Sequence, residues 1–277
     1  MLLRFPTPRL QVQGLLCGGV PHEMGNGNIP IALITRDPRT QRWMGLMRSH
    51  EPGLYQHSLH VGKMVTDYTR FCGLAFETAW PMIEGGLLHD IGKTQLPPAL
   101  LVKPRALNEA EQRMMILHPA FGAALLEAEG FYTKPVIAIV KSHHERLDGS
   151  GYPNGLHQSR TAESVRVVAV CDAFCAMTES RPYENAWPNE RALERLRSMP
   201  AQYEGTVVDE LGGMLDARKQ GWQAAEPMVE EPVDVTSKVR RHRGLLHPRS
   251  AFFKATYPVA WIALWRKSLV AIWRKRL

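Results

Sequence analysis

Between Gly53 and about Leu215 the apolar positions recur at steps of three and four, the period of one helical face. Leu54, His57, Val61, Met64, Val65 and Tyr68 form one such stripe; Ile83, Gly86, Leu87 and Asp90 form a second; Val136, Ile139, Val140 and His143 form a third. Each stripe carries a His or an Asp at a position the period assigns to the core. No alternating run is long enough for a sheet and no internal repeat is present, so the expected fold is all-α, a helical body over residues 49–223. Residues 1–48 read differently. They are rich in Pro and Gly, with Gly25, Asn26, Gly27 and Asn28 in succession and one short apolar run from Ile29 to Ile34, which predicts an irregular leader with at most a strand or two. Residues 224–237 combine prolines with acidic side chains and read as a linker. In residues 238–277, Trp261, Leu264, Trp265, Leu269, Ile272 and Trp273 fall at helical spacing, with Arg266, Lys267, Arg274, Lys275 and Arg276 mostly off that stripe.

Charge sharpens this division. The net +7 of the 277 residues is concentrated in the tail, where residues 238–277 hold eleven Lys and Arg and no Asp or Glu; 7 minus 11 leaves the first 237 residues at −4. The body therefore lacks the general positive field of a protein that binds nucleic acid polymers. A short amphipathic helix of Trp and Lys/Arg suits an anionic membrane interface, while docking on its own body, docking on a second subunit in a homodimer, and a disordered basic tail are the alternatives. Cys17, Cys72, Cys171 and Cys175 form no CxxC pair, which fits a reducing compartment. Pro6 and Pro8 interrupt the first residues and no stretch of about 18 apolar residues follows, so the expectation is a cytoplasmic protein with neither export signal nor spanning helix.

A titratable side chain on an apolar face costs free energy unless it is paired, hydrogen-bonded or metal-bound. For one His, a satisfied core histidine is the simpler reading. Here seven such residues, His57, His89, Asp90, His118, His143, His144 and Asp172, enter one core from five segments. A shared cationic charge accounts for them together. Mixed nitrogen and oxygen ligands suit Fe, Mn, Zn or another first-row divalent ion, and a carboxylate can bridge two of them. Two such ions activate water and clamp a phosphoryl group, the chemistry of phosphate-ester hydrolysis. Lys93, four residues beyond His89, places a positive charge beside such a phosphate; alternatively it is an exposed cap at a helix end marked by Gly92. The run from His143 to Pro153, HHERLDGSGYP, joins a His pair to a turn of Asp, Gly and Pro able to hold a rigid loop.

These residues resemble the HD-GYP domains, a branch of the HD phosphohydrolase superfamily. The matching pieces are HSLHV from His57, HDIGK from His89, HP at His118, HHERLDGSGYP from His143 and CDAFCAMTESRPY from Cys171 to Tyr183, across about residues 50–215. The resemblance implies a helical bundle around a binuclear site, with His57, His89, Asp90 and Asp172 on one ion. Asp90 bridges to a second ion held also by His118, His143 and His144. It implies Fe or Mn as the ions, and cyclic di-GMP as the substrate, cleaved to pGpG or GMP with a GGDEF-type or other signalling protein as partner. Asp90 and Lys93 are then the catalytic residues, Lys93 on the scissile phosphate. Arg181 lies near a guanine or phosphate, and Tyr152, in the loop of Gly151, Tyr152 and Pro153, serves substrate or partner binding. Three positions depart from the family pattern. Gly53 stands where some members carry a Glu associated with a third ion, which implies a two-ion site; Cys175 replaces a frequent Asp; and Glu184 follows RPY where a Lys or Arg is more usual.

Overall fold

The computed structural model describes residues 34–35, 37–180 and 185–222. These residues form ten α-helices: α1 (Pro38–His50), α2 (Pro52–Phe71), α3 (Phe76–Leu88), α4 (Pro98–Leu101), α5 (Glu109–Met115), α6 (His118–Glu129), α7 (Lys134–Ser142), α8 (Glu163–Thr178), α9 (Asn189–Arg197) and α10 (Gly205–Lys219), with short 3-10 turns at Ile91–Gln95 and Gln158–Arg160. Among the described residues there is no strand, and the single antiparallel bridge joins Asp148 to His157. The all-α expectation holds.

Helix starts follow local chemistry. Asp37 caps α1 by accepting from the Arg39 backbone N–H at 2.8 Å. Glu51 caps α2 by accepting from the N–H groups of Gly53 and Leu54, with Pro52 in the first turn. Asn108 and Glu111 close a reciprocal capping box at the head of α5.

Helix α3 is the hub. It packs against α2, α7, α8 and α1, and Ala79, Met82, Ile83, Leu87 and Leu88 on it are all buried. α6 lies against α7 and against the 3-10 turn that follows α3. The core is continuous across α1 to α10, which is how one apolar body carries polar groups from distant segments to one place.

The irregular leader expected over residues 1–48 does not extend that far. Pro38–His50 is helical, and Trp43, Met44 and Met47 enter the core at helical spacing. Its composition hides it: polar Arg39, Thr40, Gln41 and Arg42 precede four large apolar groups, of which three are buried. The linker at 224–237 and the tail at 238–277 lie outside the described residues. No described helix is long and apolar enough to cross a membrane.

Candidate metal centre

Helix ends deliver five of the seven ligand candidates, and helix interiors the other two. His89 is the C-terminal cap of α3, Asp90 follows it, and His143 is the C-terminal cap of α7. The period that put Asp90 and His143 on core stripes was thus extended one step past each helix. Those C-termini carry the negative end of the helix dipole toward the centre, which favours a cation there. His118 opens α6, His57 lies within α2, and Asp172 lies within α8. The turn holding Asp90 against α6 requires Gly92, because a Cβ there would stand 1.9 Å from the His118 carbonyl oxygen. Only the bare backbone lets the two segments approach.

The seven predicted residues converge. Ligand-capable atoms of Asp90, His118, His143 and His144 lie within 4.8 Å of one another, as do those of His57, His89 and Asp90, and those of His89, His143 and Asp172. Asp90 sits between the sets, with Oδ2 3.3 Å from His89 Nε2 and Oδ1 3.1 Å from His118 Nε2 and 3.8 Å from His143 Nε2. On the other flank, Asp172 Oδ1 is 3.0 Å from His57 Nε2 and 3.6 Å from His89 Nε2.

Three hydrogen bonds determine what those nitrogens offer. His89, His118 and His143 each donate Nδ1–H to the carbonyl three residues earlier, on Gly86, Met115 and Val140, at 2.8, 2.7 and 3.0 Å. A carbonyl only accepts, so each neutral ring leaves a bare lone pair on Nε2. The Nε2 atoms of His118 and His143 then face each other at 3.2 Å, and those of His89 and Asp90 Oδ1 are buried without a hydrogen-bond donor. Lone pairs and carboxylate oxygens buried face to face fit a bound cation.

Electrostatics agree. Burial, then the neighbouring His144, His89 and His118, hold His143 well below the usual imidazole range; burial and His118 do the same to His144. Burial lowers His118 as well. These rings stay neutral, as ligands must. Burial opposes the charged form of Asp90, but the neighbouring Lys93 ammonium foremost holds its carboxyl well below the usual carboxylate range. His57 is the exception: burial opposes its charge, yet Asp172 and Glu179 raise it to about 9.

Residues 43–207 match the family described as the HD domain, more than half of the chain. This chain belongs to the HD-domain family. Its motif set, HDIGK at His89 and HHERLDGSGYP at His143, places it in the HD-GYP branch. It is 31% identical over 180 residues to a cyclic di-GMP phosphodiesterase of Pseudomonas aeruginosa, covering 64% of this chain and 42% of that protein. It is 34% identical over 143 residues to a 3'3'-cGAMP-specific phosphodiesterase of Vibrio cholerae, covering 52% of this chain and 33% of that protein. The chain thus spans about two-fifths or less of the length of these relatives. The HD domain of the L. monocytogenes phosphodiesterase PgpH, solved with cyclic-di-AMP, shares the fold at a TM-score of 0.50 and 18% identity, covering 67% of this chain and 99% of that one.

Around this HD-GYP centre the remaining candidates take distinct places. Lys93 is neither on a continued helix nor an exposed cap: α3 has ended, and from the 3-10 turn its Nζ reaches Asp90 Oδ2 at 2.6 Å. The signature loop folds back over the His pair. Tyr152 N–H donates to the His144 carbonyl at 3.2 Å, and its ring packs on the His144 ring with centroids 4.6 Å apart. Gly151 is required, since a Cβ would meet the His144 oxygen and the Arg146 nitrogen at 2.4 Å. Buried Glu145 accepts from the N–H groups of Asn154 and Leu156, both at 2.8 Å, and so ties the loop down; Pro153 lies in that span. Arg181 and Glu184 lie outside the described residues. Cys175 is buried and is not part of the converging ligand sets.

Glu179 was not legible in the sequence. One carboxylate oxygen accepts from His57 Nδ1 at 2.9 Å and the other from His60 Nδ1 at 2.8 Å. Burial opposes its ionisation, but those two imidazoles hold it at about 2. His57 is therefore turned so that Nε2 faces Asp172. A Glu just past a helix C-terminus reads as solvated, and nothing local announces partners 122 and 119 residues away.

Proposed function

We propose that this chain is a metal-dependent phosphodiesterase that hydrolyses cyclic di-GMP to pGpG, to GMP or to both. The observation that carries the reading is Asp90, a buried carboxylate shared by two groups of imidazole Nε2 atoms, with Lys93 at 2.6 Å, at the edge of a cleft of about 950 Å³. His57, His89, Asp90 and Asp172 would hold one divalent ion, and Asp90, His118, His143 and His144 the second, with Fe or Mn the proposed metals. Such a pair supplies Lewis-acid polarisation of a phosphoryl oxygen and acidification of water. Asp90 keeps the two sites in one register. Lys93 balances Asp90 in the resting site and offers its remaining N–H donors to the scissile phosphate as charge develops. Tyr152, packed on the His144 ring, is assigned to substrate or partner binding, and Arg181 to the guanine or phosphate, by their motifs alone.

A second reading keeps the chemistry and changes the substrate, supported by the relative named for 3'3'-cGAMP. The test is incubation of Mn- or Fe-loaded protein, prepared without oxygen, with each cyclic dinucleotide, following products by chromatography and counting metal per chain. Two ions and conversion of cyclic di-GMP are expected. Preferential turnover of 3'3'-cGAMP establishes the second reading, and two ions with both substrates untouched overturn the hydrolase in favour of a binding module.

A further inference from the structure

The cleft extends well past the metal centre. His57, Asp90 and Lys93 line it, and so do Lys63, Asp67 and Arg218. Helix α2 connects them, because His57, His60, Lys63 and Asp67 follow at three- and four-residue steps along its cleft side. Lys63 stands six residues beyond His57, about 9 Å along the axis.

Asp67 is fully buried, and its Oδ2 accepts both from Lys63 Nζ, at 2.9 Å, and from Arg218 Nη2. Two permanent cations converge on one carboxylate oxygen, so these three groups together carry a positive charge. Both cations retain donors: an ammonium has three and a guanidinium five. Lys103 and Arg105 also line the cleft, but they converge on Glu111 in the segment around α5. The Lys63 and Arg218 pair is anchored from beneath by a buried group on the same helix as His57, which fixes its distance from the centre.

Resting on the phosphodiesterase reading, we propose that Lys63 and Arg218 form the subsite for the second phosphodiester of a cyclic dinucleotide. While the metal centre and Lys93 take one phosphodiester, the other, on the opposite edge of the nucleotide ring, meets the surplus positive charge on α2 and α10. The pair selects substrates with two phosphodiester charges over those with one.

The test compares kcat/KM of the Mn-loaded full chain for cyclic di-GMP and for bis(4-nitrophenyl) phosphate, which carries a single phosphodiester. In Lys63→Gln and, separately, Arg218→Gln, the ratio of cyclic di-GMP to bis(4-nitrophenyl) phosphate should fall about 10-fold, mainly through KM, as expected for a partly exposed charge-assisted hydrogen bond. Lys63→Arg should restore it. Lys63 is the safer site, since Arg218 stays on Asp67 in that variant; metal per chain and helical content verify folding. An unchanged ratio in both variants, with wild type turning over cyclic di-GMP, overturns the subsite and leaves the phosphodiesterase standing. Wild type that hydrolyses bis(4-nitrophenyl) phosphate but no cyclic dinucleotide overturns the substrate reading and the subsite with it.

Discussion

Asp90 and Asp67 are both carboxylates sealed inside the same helical body, and their surroundings differ in kind. Asp67 is met by Lys63 and Arg218, cations at every physiological pH. Asp90 is met by one lysine and by imidazoles whose Nε2 atoms carry lone pairs, so its charge balance depends on what enters the site. The Asp67 carboxylate is neutralised as folded, whereas the Asp90 site is completed by a ligand. A third carboxylate calibrates the pair. Glu84 is buried near the Thr40 hydroxyl; burial and then Asp37 push it up to about 7, so below that pH it meets its environment by carrying a proton.

The contrast is most directly broken at Asp90. Asp90→Ala should abolish metal binding and turnover together, with a rate loss of at least about 10³-fold, read by metal analysis and product chromatography. Normal turnover in that variant would refute the site. Asp67→Asn should do the opposite: full metal content, but a loss of about 2 kcal/mol in chemical denaturation, reduced from the fully buried case because both cations are partly exposed. Equal loss of metal in both variants would erase the distinction between them. Glu179→Ala should weaken metal affinity about 10-fold without changing the fold, since it orients His57 from behind; Glu179→Gln should fall between, in competition against a chelating dye.

Glu84 gives the smallest effect and a definite sign. Its folded value, about 7, lies above the ordinary 4.5, so the stability it contributes is complete below about pH 4.5 and is lost as pH rises toward 7. Glu84→Gln should therefore match wild type near pH 4.5 and exceed it by about 1 kcal/mol at pH 8 in urea unfolding. A variant less stable than wild type at pH 8 would show that the carboxylate has a stabilising partner.

Much of this is legible in the sequence. The stripe from Leu54 to Tyr68 is helix α2, and the seven polar residues on apolar faces meet in one place, because burying a His or Asp is costly enough to leave a pattern in composition. The missed features share a different physics. α1 buries three large apolar side chains, Trp43, Met44 and Met47, behind a polar first turn, so its own periodicity is weak. The helix feeding Asp90 stops one turn early because Gly92 must touch the His118 carbonyl, a contact made 26 residues away. Glu179, Lys63 and Arg218 are charged residues of the kind expected in water, and only tertiary placement gives them partners.

The repeated bond from imidazole Nδ1 to the carbonyl three residues back has a consequence for design. In His89, His118 and His143 the tautomer is selected inside a single turn of chain, without help from the rest of the protein. Such a turn is a portable part: moved to the end of a helix in an unrelated scaffold, it would bring its donor nitrogen already aimed and already deprotonated. What the scaffold must then supply is spacing, and in this molecule one missing methyl group, at Gly92, provides it.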